Sequence, residues 1–302
     1  MITLAFWKED GVEYHLYKDE RTNSVAMSIN GGLQFDSRYE YRYHQSLFLL
    51  PALCLDTTKE NNVLVLGGGD GLGARELLRL KHITSIDLVD ISHFMITLAK
   101  HHPDMLELNL GSLHNPRVNV IIEDGIKYVE ETDKKYDLII LDYPDPSFSN
   151  KKDQVNRLFT RKHYQDIKRL LKPNAIVAMQ STSVLISPNV FRYIQLLLKN
   201  LYSNILPMRI FMPIYGDIGI IIASDNEITF YEENIPQGVF FTKESLASFL
   251  LMHQDEMPTV GDDELMKYDI ADLVKYDLFA RLEDIKEDIK DIYSRQIEQA
   301  TK

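Results

Sequence analysis

The chain has 302 residues, 45% hydrophobic and 26% charged, with 33 basic against 45 acidic side chains and a formal net charge of −12. At roughly 150 residues per domain, this length fits one large domain or one main domain with smaller flanking pieces. With 14 Gly and 11 Pro the composition excludes a fibrous or disordered chain. The acidic balance argues against broad binding to nucleic acid, whose affinity rests on Lys and Arg. It suits a cationic partner, although acidity serves solubility in many proteins.

Residues 1–46 read as a small β unit. EYHLYKDE and NSVAMSIN alternate apolar and polar residues, and Asn30-Gly31-Gly32 is a turn signal. The N-terminus lacks the apolar core of a signal peptide. The apolar run SLFLLPALCL at 46–55 is about half a bilayer span and is broken by Pro51. The single cysteine, Cys54, cannot form an internal disulfide. A soluble chain in the cytoplasm, with no membrane association, is expected.

Residues 47–238 follow a different rhythm. Continuous apolar runs at 62–69, 85–92, 118–125, 136–145, 175–181 and 218–224 alternate with amphipathic stretches such as GARELLRLKH and NVFRYIQLLLKNLY. Such runs belong to strands buried on both faces, so the pattern predicts a doubly wound, mostly parallel α/β domain. Residues 239–302 are charged and read as a helical extension. Leu278, Leu282, Ile285, Ile289 and Ile292 form one apolar stripe, suited to packing on its own domain or on a dimer partner.

The chemistry concentrates at predicted strand ends, where open α/β sheets bind ligands. VLVLGGGDGLGAREL carries a strand into a Gly-rich turn and out as a helix, with Gly67, Gly69 and Gly71 spaced to admit a ligand. Asp70 sits inside that turn. A carboxylate there repels a pyrophosphate or a ligand carboxylate and attracts an ammonium. It also suits the cap of the next helix, so both readings stand. The next strand ends at Asp90, about twenty residues on, where an acid suits a ribose diol. The third ends at Glu123-Asp124-Gly125, where a carboxylate can accept from an adenine amino group. The fourth ends in LDYPDP, with Asp142 and Asp145 on a turn stiffened by Pro144 and Pro146. One such carboxylate can take a proton while the other holds a distant cation. Nine histidines show no zinc-ligand spacing, so no metal is expected.

LQFDSRYEYRYHQSL at 33–47, GGGDG, the acidic strand ends, DYPDP, Leu158-Phe159, Gln180 and PIYGDIGIIIAS together resemble the polyamine aminopropyltransferase, or spermidine synthase, family along nearly the whole chain. The resemblance implies a Rossmann-like, methyltransferase-type fold and transfer of an aminopropyl group from decarboxylated S-adenosylmethionine to a diamine such as putrescine. That donor is a co-substrate, and no prosthetic group is implied. By resemblance Asp142 is the catalytic aspartate, with Tyr43 beside it. Gln34, Gly67, Gly69, Asp70, Asp90, Asp124 and Gly125 face the donor. His44, Asp145, Gln180 and Tyr215 line the acceptor pocket, and a homodimer is implied. Tyr143-Pro144 stands where small hydroxyl residues are common, which resembles a divergent branch often fused to membrane segments. Tyr39, Ser149 and a short loop after Tyr215 also depart from the pattern and bear on the acceptor. The segment 147–160 reads as a lid. The competing functions are an S-adenosylmethionine N-methyltransferase, which Asp70 opposes, and a non-catalytic polyamine or nucleoside binder.

Overall fold

The computed structural model describes residues 1–9, 11–146, 155–214, 216–250 and 260–278. Four antiparallel strands open the chain: β1 (Ile2–Glu9), β2 (Val12–Asp19), β3 (Ser24–Ile29) and β4 (Gly32–Asp36), paired in sequence order. A helical run follows without a break, made of α1 (Glu40–His44), a π-helical turn (Gln45–Leu49) and α2 (Leu50–Ala52). This run crosses residue 46, so the small sheet ends before the boundary expected from patterning. The apolar sequence SLFLLPA forms it, with Pro51 inside the short α2 at its C-terminal end.

The main sheet takes the expected runs in parallel. They are β5 (Asn61–Gly67), β6 (Ile83–Asp90), β7 (Val118–Ile122), β8 (Tyr136–Asp142) and β9 (Leu171–Gln180). Between them lie α3 (Leu72–Leu77), α4 (His93–His101), α5 (Pro103–Asn109), α6 (Gly125–Glu131) and α7 (Arg161–Arg169). After β9 come α8 (Pro188–Lys199) and an antiparallel hairpin, β10 (Asn204–Met212) and β11 (Gly216–Ser224). The sheet order is β10-β11-β9-β8-β5-β6-β7. Patterning missed β10 because Pro207 and Arg209 interrupt its apolar residues. Its edge position explains the tolerance of a proline that donates no hydrogen bond.

Alternation along the strands divides the core. Val63, Val65, Leu138, Ile140 and Ile222 face the helical run, against Leu47, Phe48 and Leu50. Leu64, Leu66, Ile139, Leu141 and Met179 face the other way, against Tyr164, Ile167, Val190 and Ile194. A third cluster seats the small sheet: Leu16, Met27 and Phe35 pack with Leu72, Met95 and Leu98. At its edge Trp7 stacks on Phe94, ring centroids 5.7 Å apart and nearly parallel.

The segment after β11 differs from the helical extension expected from 239. Phe241, Leu246 and Phe249 fold as a compact cluster into the first core, with a 3₁₀ turn at Leu246–Leu250. Further on, α9 (Asp262–Leu265) is followed by helical residues at 270–278. Ile270 and Leu273 enter the second core, and Asp277 accepts hydrogen bonds from Asn189 Nδ2 at 2.6 Å and from the Val190 N–H at 3.1 Å. The carboxylate thus meets the first turn of α8, where N–H groups lack helical partners. Of the apolar stripe, Leu278 is described and the other four residues lie outside the described residues. No helix among the described residues is long and apolar enough to cross a membrane.

The packing of α3 on the helical run is tight enough to test. A Cβ built at Gly73 would meet the Phe48 ring at 2.2 Å, and Phe48 is fully buried. Gly73→Ala is expected to lower unfolding stability in urea by about 1–3 kcal/mol through overpacking, and adding Phe48→Leu to recover part of it.

Candidate active site

The parallel strands end on one edge of the sheet, and the expected acids sit there. Gly67 pairs with Asp142 in the β5–β8 register, so the Gly-rich turn rises directly beside the fourth strand end. A Cβ at Gly67 would lie 2.2 Å from the Asp142 carbonyl oxygen, and its φ is +92°. At Gly69 a Cβ would lie 2.6 Å from Asp90 Oδ2. The glycines therefore serve a close approach of turn, β6 end and β8 end.

Each carboxylate is held by specific donors. Asp90 Oδ2 accepts from the Gly69 N–H at 2.9 Å, and Oδ1 from the Ser92 N–H at 2.7 Å. Asp70 Oδ1 accepts from the Leu72 N–H at 2.9 Å, and Oδ2 lies 3.8 Å from His44 Nε2. Asp70 thus serves the helix start with one oxygen and turns the other toward the crevice. Asp124 caps α6, accepting from the Ile126 N–H at 2.8 Å. Asp145 Oδ1 accepts from Gln180 Nε2 at 2.6 Å, while Gln180 Oε1 is buried without a hydrogen-bond partner.

The helical run closes the crevice. Tyr43 donates its hydroxyl to Asp142 Oδ1. Burial, then the carboxylates of Asp142, Asp145 and Asp70, raise the phenol well above its ordinary range, so it stays a donor. Of these acids Asp142 bonds the phenol directly, and Asp70 faces the neighbouring His44. Burial and the charge of Asp70 push the Asp142 carboxyl up to about 6, against the Tyr43 hydrogen bond. His44 Nδ1–H donates to Glu40 Oε2 at 2.7 Å. Glu40 in turn takes both terminal nitrogens of Arg75 at 3.0 and 2.9 Å, and Arg75 also meets Glu76. Burial opposes a charge on His44, but the Glu40 hydrogen bond and the Asp70 charge prevail and push it up to about 9.

Sequence reasoning missed Glu40 and Arg75. Glu40 carried a readable sign, lying four residues before His44 on one helix face. Arg75 carried none, since its role depends on how α3 packs on α1. Gln34 is exposed and bonds the Gly32 carbonyl, at the rim of a cleft that Tyr39, Tyr43, Met212 and Ile214 also line. Tyr143 turns away from the crevice into the second core. Tyr215, Ser149 and residues 147–154 of the expected lid lie outside the described residues. Among the described residues, no cluster of three or more His, Cys, Asp or Glu is placed to hold a metal ion.

The strand order, the antiparallel hairpin at one edge and the crevice at the strand ends define a Rossmann-like, methyltransferase-type α/β protein. The family model described as "Spermine/spermidine synthase domain" matches residues 40–232, and the chain belongs to that family. A polyamine aminopropyltransferase of Leptospira interrogans is 34% identical over 84% of this chain and 49% of its own length. Another, of Sulfolobus acidocaldarius, is 36% identical over 66% of this chain and 64% of its own length. The chain spans about half the length of several curated relatives it matches. A spermidine synthase from Thermotoga maritima superposes with a TM-score of 0.72 at 19% identity, covering 83% of this chain and 85% of the other. A spermidine synthase solved with the transition-state analogue AdoDATO superposes with a TM-score of 0.68 at 19% identity, covering 92% and 89%. These two share the fold.

The charge on His44 has a consequence for stability. Its folded pKa of about 9 lies above the ordinary 6.5, so its contribution is complete below pH 6.5 and lost as pH rises through 9. Urea unfolding is expected to show declining stability across that window, and His44→Gln to flatten the decline.

Proposed function

We propose that the protein moves the aminopropyl group of decarboxylated S-adenosylmethionine to a diamine such as putrescine, giving spermidine and methylthioadenosine. The observation that carries this reading is the carboxylate crevice around Tyr43, where Asp142 accepts from the phenol, Asp70 faces His44 across 3.8 Å and Asp145 follows on the same turn. Such a site favours cationic ligands, and both co-substrates are cations. Family membership supports the same reaction.

In this reading Asp70 Oδ2 receives the donor's ammonium, Asp90 the ribose and Asp124 with Gly125 the adenine, with Gln34 at the rim. His44, Asp145, Gln180 and Tyr215 border the acceptor. The unpaired Gln180 Oε1 is a ready acceptor for an amine proton beside Asp145. Tyr43 fixes Asp142 Oδ1, which leaves Oδ2 for the incoming nitrogen.

The step itself is a displacement. The free amine attacks the methylene next to the sulfonium, a C–N bond forms, and the C–S electron pair leaves with methylthioadenosine. Asp142 accepts the ammonium proton and passes it to solvent. A carboxyl near 6 is a better base than an ordinary aspartate, yet still weak for an amine. Orientation and exclusion of water therefore supply much of the rate. The reaction needs no prosthetic group. A homodimer and a cytoplasmic location belong to this proposal, as does the division into units 1–46, 47–238 and 239–302.

The deciding experiment supplies purified protein with decarboxylated S-adenosylmethionine and putrescine and measures methylthioadenosine release. Methyl transfer from S-adenosylmethionine, or binding without turnover, would replace this reading. Asp142→Asn is expected to cut kcat by about a hundredfold or more while donor binding persists, as loss of a general base does. The acid limb of kcat/KM for the diamine should rise with pH and level off above about 6, since Asp142 must be ionised to accept a proton. Asp70→Asn should raise KM for the donor far more than for the diamine.

A further inference from the structure

Asp142, Tyr143 and Asp145 leave β8 in succession, and alternation along the strand sends Asp142 toward Tyr43 and Tyr143 to the opposite face. There Tyr143 is 6% exposed, and its hydroxyl lies 2.7 Å from His163 Nε2. His163 is 3% exposed and belongs to the first turn of α7, where its N–H is capped by Thr160 Oγ1 at 3.3 Å. The two rings stand 5.8 Å apart, and Tyr164 flanks His163. His163 Nδ1 is buried with no hydrogen-bond partner. An orphaned polar nitrogen in a core costs stability. A phenylalanine would fill the same place without that cost.

We infer that His163 is a positioning residue for the acceptor end of the site: through Tyr143 it ties the Asp142–Asp145 turn to α7 and so sets the placement of the two carboxylates. This rests on the proposed aminopropyl transfer. Pro144 and Pro146 have no N–H to donate, so side-chain anchors matter more on this turn. Among the described residues, two anchors of this turn lie on opposite faces of the sheet. Tyr43 holds Asp142 from the first core, and His163 holds Tyr143 from the second. Gln180 then meets Asp145. Burial pulls the His163 imidazole down to about 4, so the ring is neutral at working pH and pairs with a neutral phenol. Of the groups nearby, Asp166, Asp124 and Glu130 oppose that fall and Lys162 adds to it. The contact therefore stays uncharged while the diamine's charges come and go in front of it.

The test measures steady-state kinetics of Tyr143→Phe, His163→Phe and the double variant, each with diamines of three, four and five carbons. Loss of one hydrogen bond is worth about a tenfold change, so each single variant should raise KM for putrescine about tenfold. It should change kcat by less than about threefold, leave the donor's KM unchanged and flatten the preference among diamine lengths. The double variant removes both polar partners and should regain unfolding stability, since a matched apolar pair leaves no orphan. It should not regain the diamine KM. Recovery of both would reduce the pair to core packing and overturn the inference, as would single variants with unshifted diamine KM. Calorimetric titration of putrescine into protein saturated with methylthioadenosine gives a second readout if a variant turns over too slowly. Unmodified protein that neither consumes nor binds a diamine overturns the proposed function and this inference with it. Normal turnover with unmoved variants overturns the inference alone.

Discussion

Carboxylates gathered in a half-buried crevice repel one another, and at the sheet edge that repulsion is answered by donors nearby. The charge of Asp70 raises the cost of ionising Asp142, and the answer comes from donors on elements that lie far apart in the chain. Backbone N–H groups of the Gly-rich turn and of Ser92 hold Asp90. The phenol of Tyr43 holds Asp142. His44 stands across from Asp70, held in place by Glu40, which is itself neutralised by Arg75. Removing one partner from such a buried set leaves an uncompensated charge, which costs more than the pair contributes. The helical run, α3 and the four strand ends are thereby committed to one relative arrangement.

The same constraint explains which parts of the molecule could be read from residues alone. Strands buried on both faces show as unbroken apolar runs, so β5, β6, β8, β9 and β11 were legible, and the acids closing β5, β6, β7 and β8 stood out against them. The edge strand β10 was not legible, since its outer side needs no apolar partner and its Pro207 reads as a breaker. The helical run was half legible. Its apolar residues were visible, but alternation upstream disguised where the sheet stops. The tail from 239 looked helical because it is charged, while Phe241 and Phe249 in fact fill the core under β10.

Within the site, residues that act from a strand end could be found by position, and residues that act through another side chain could not. Asp142 follows its strand directly. Arg75 matters only because α3 lies against α1, and His163 only because β8 alternates toward α7. Neither fact is local in sequence. Tyr143 shows the same limit from the other side. By position between two acids it belongs with the acceptor, yet the pleat sends its ring to the opposite face.

The stack of Trp7 on Phe94 joins the small sheet to α4. Trp7 is the single tryptophan among 302 residues and is about half exposed. The molecule therefore carries one intrinsic indole fluorophore, placed at the joint between its two sheets. Its emission reports the seating of the N-terminal sheet on α4, one short chain of contacts through Tyr14 and Ser92 from the Asp90 strand end.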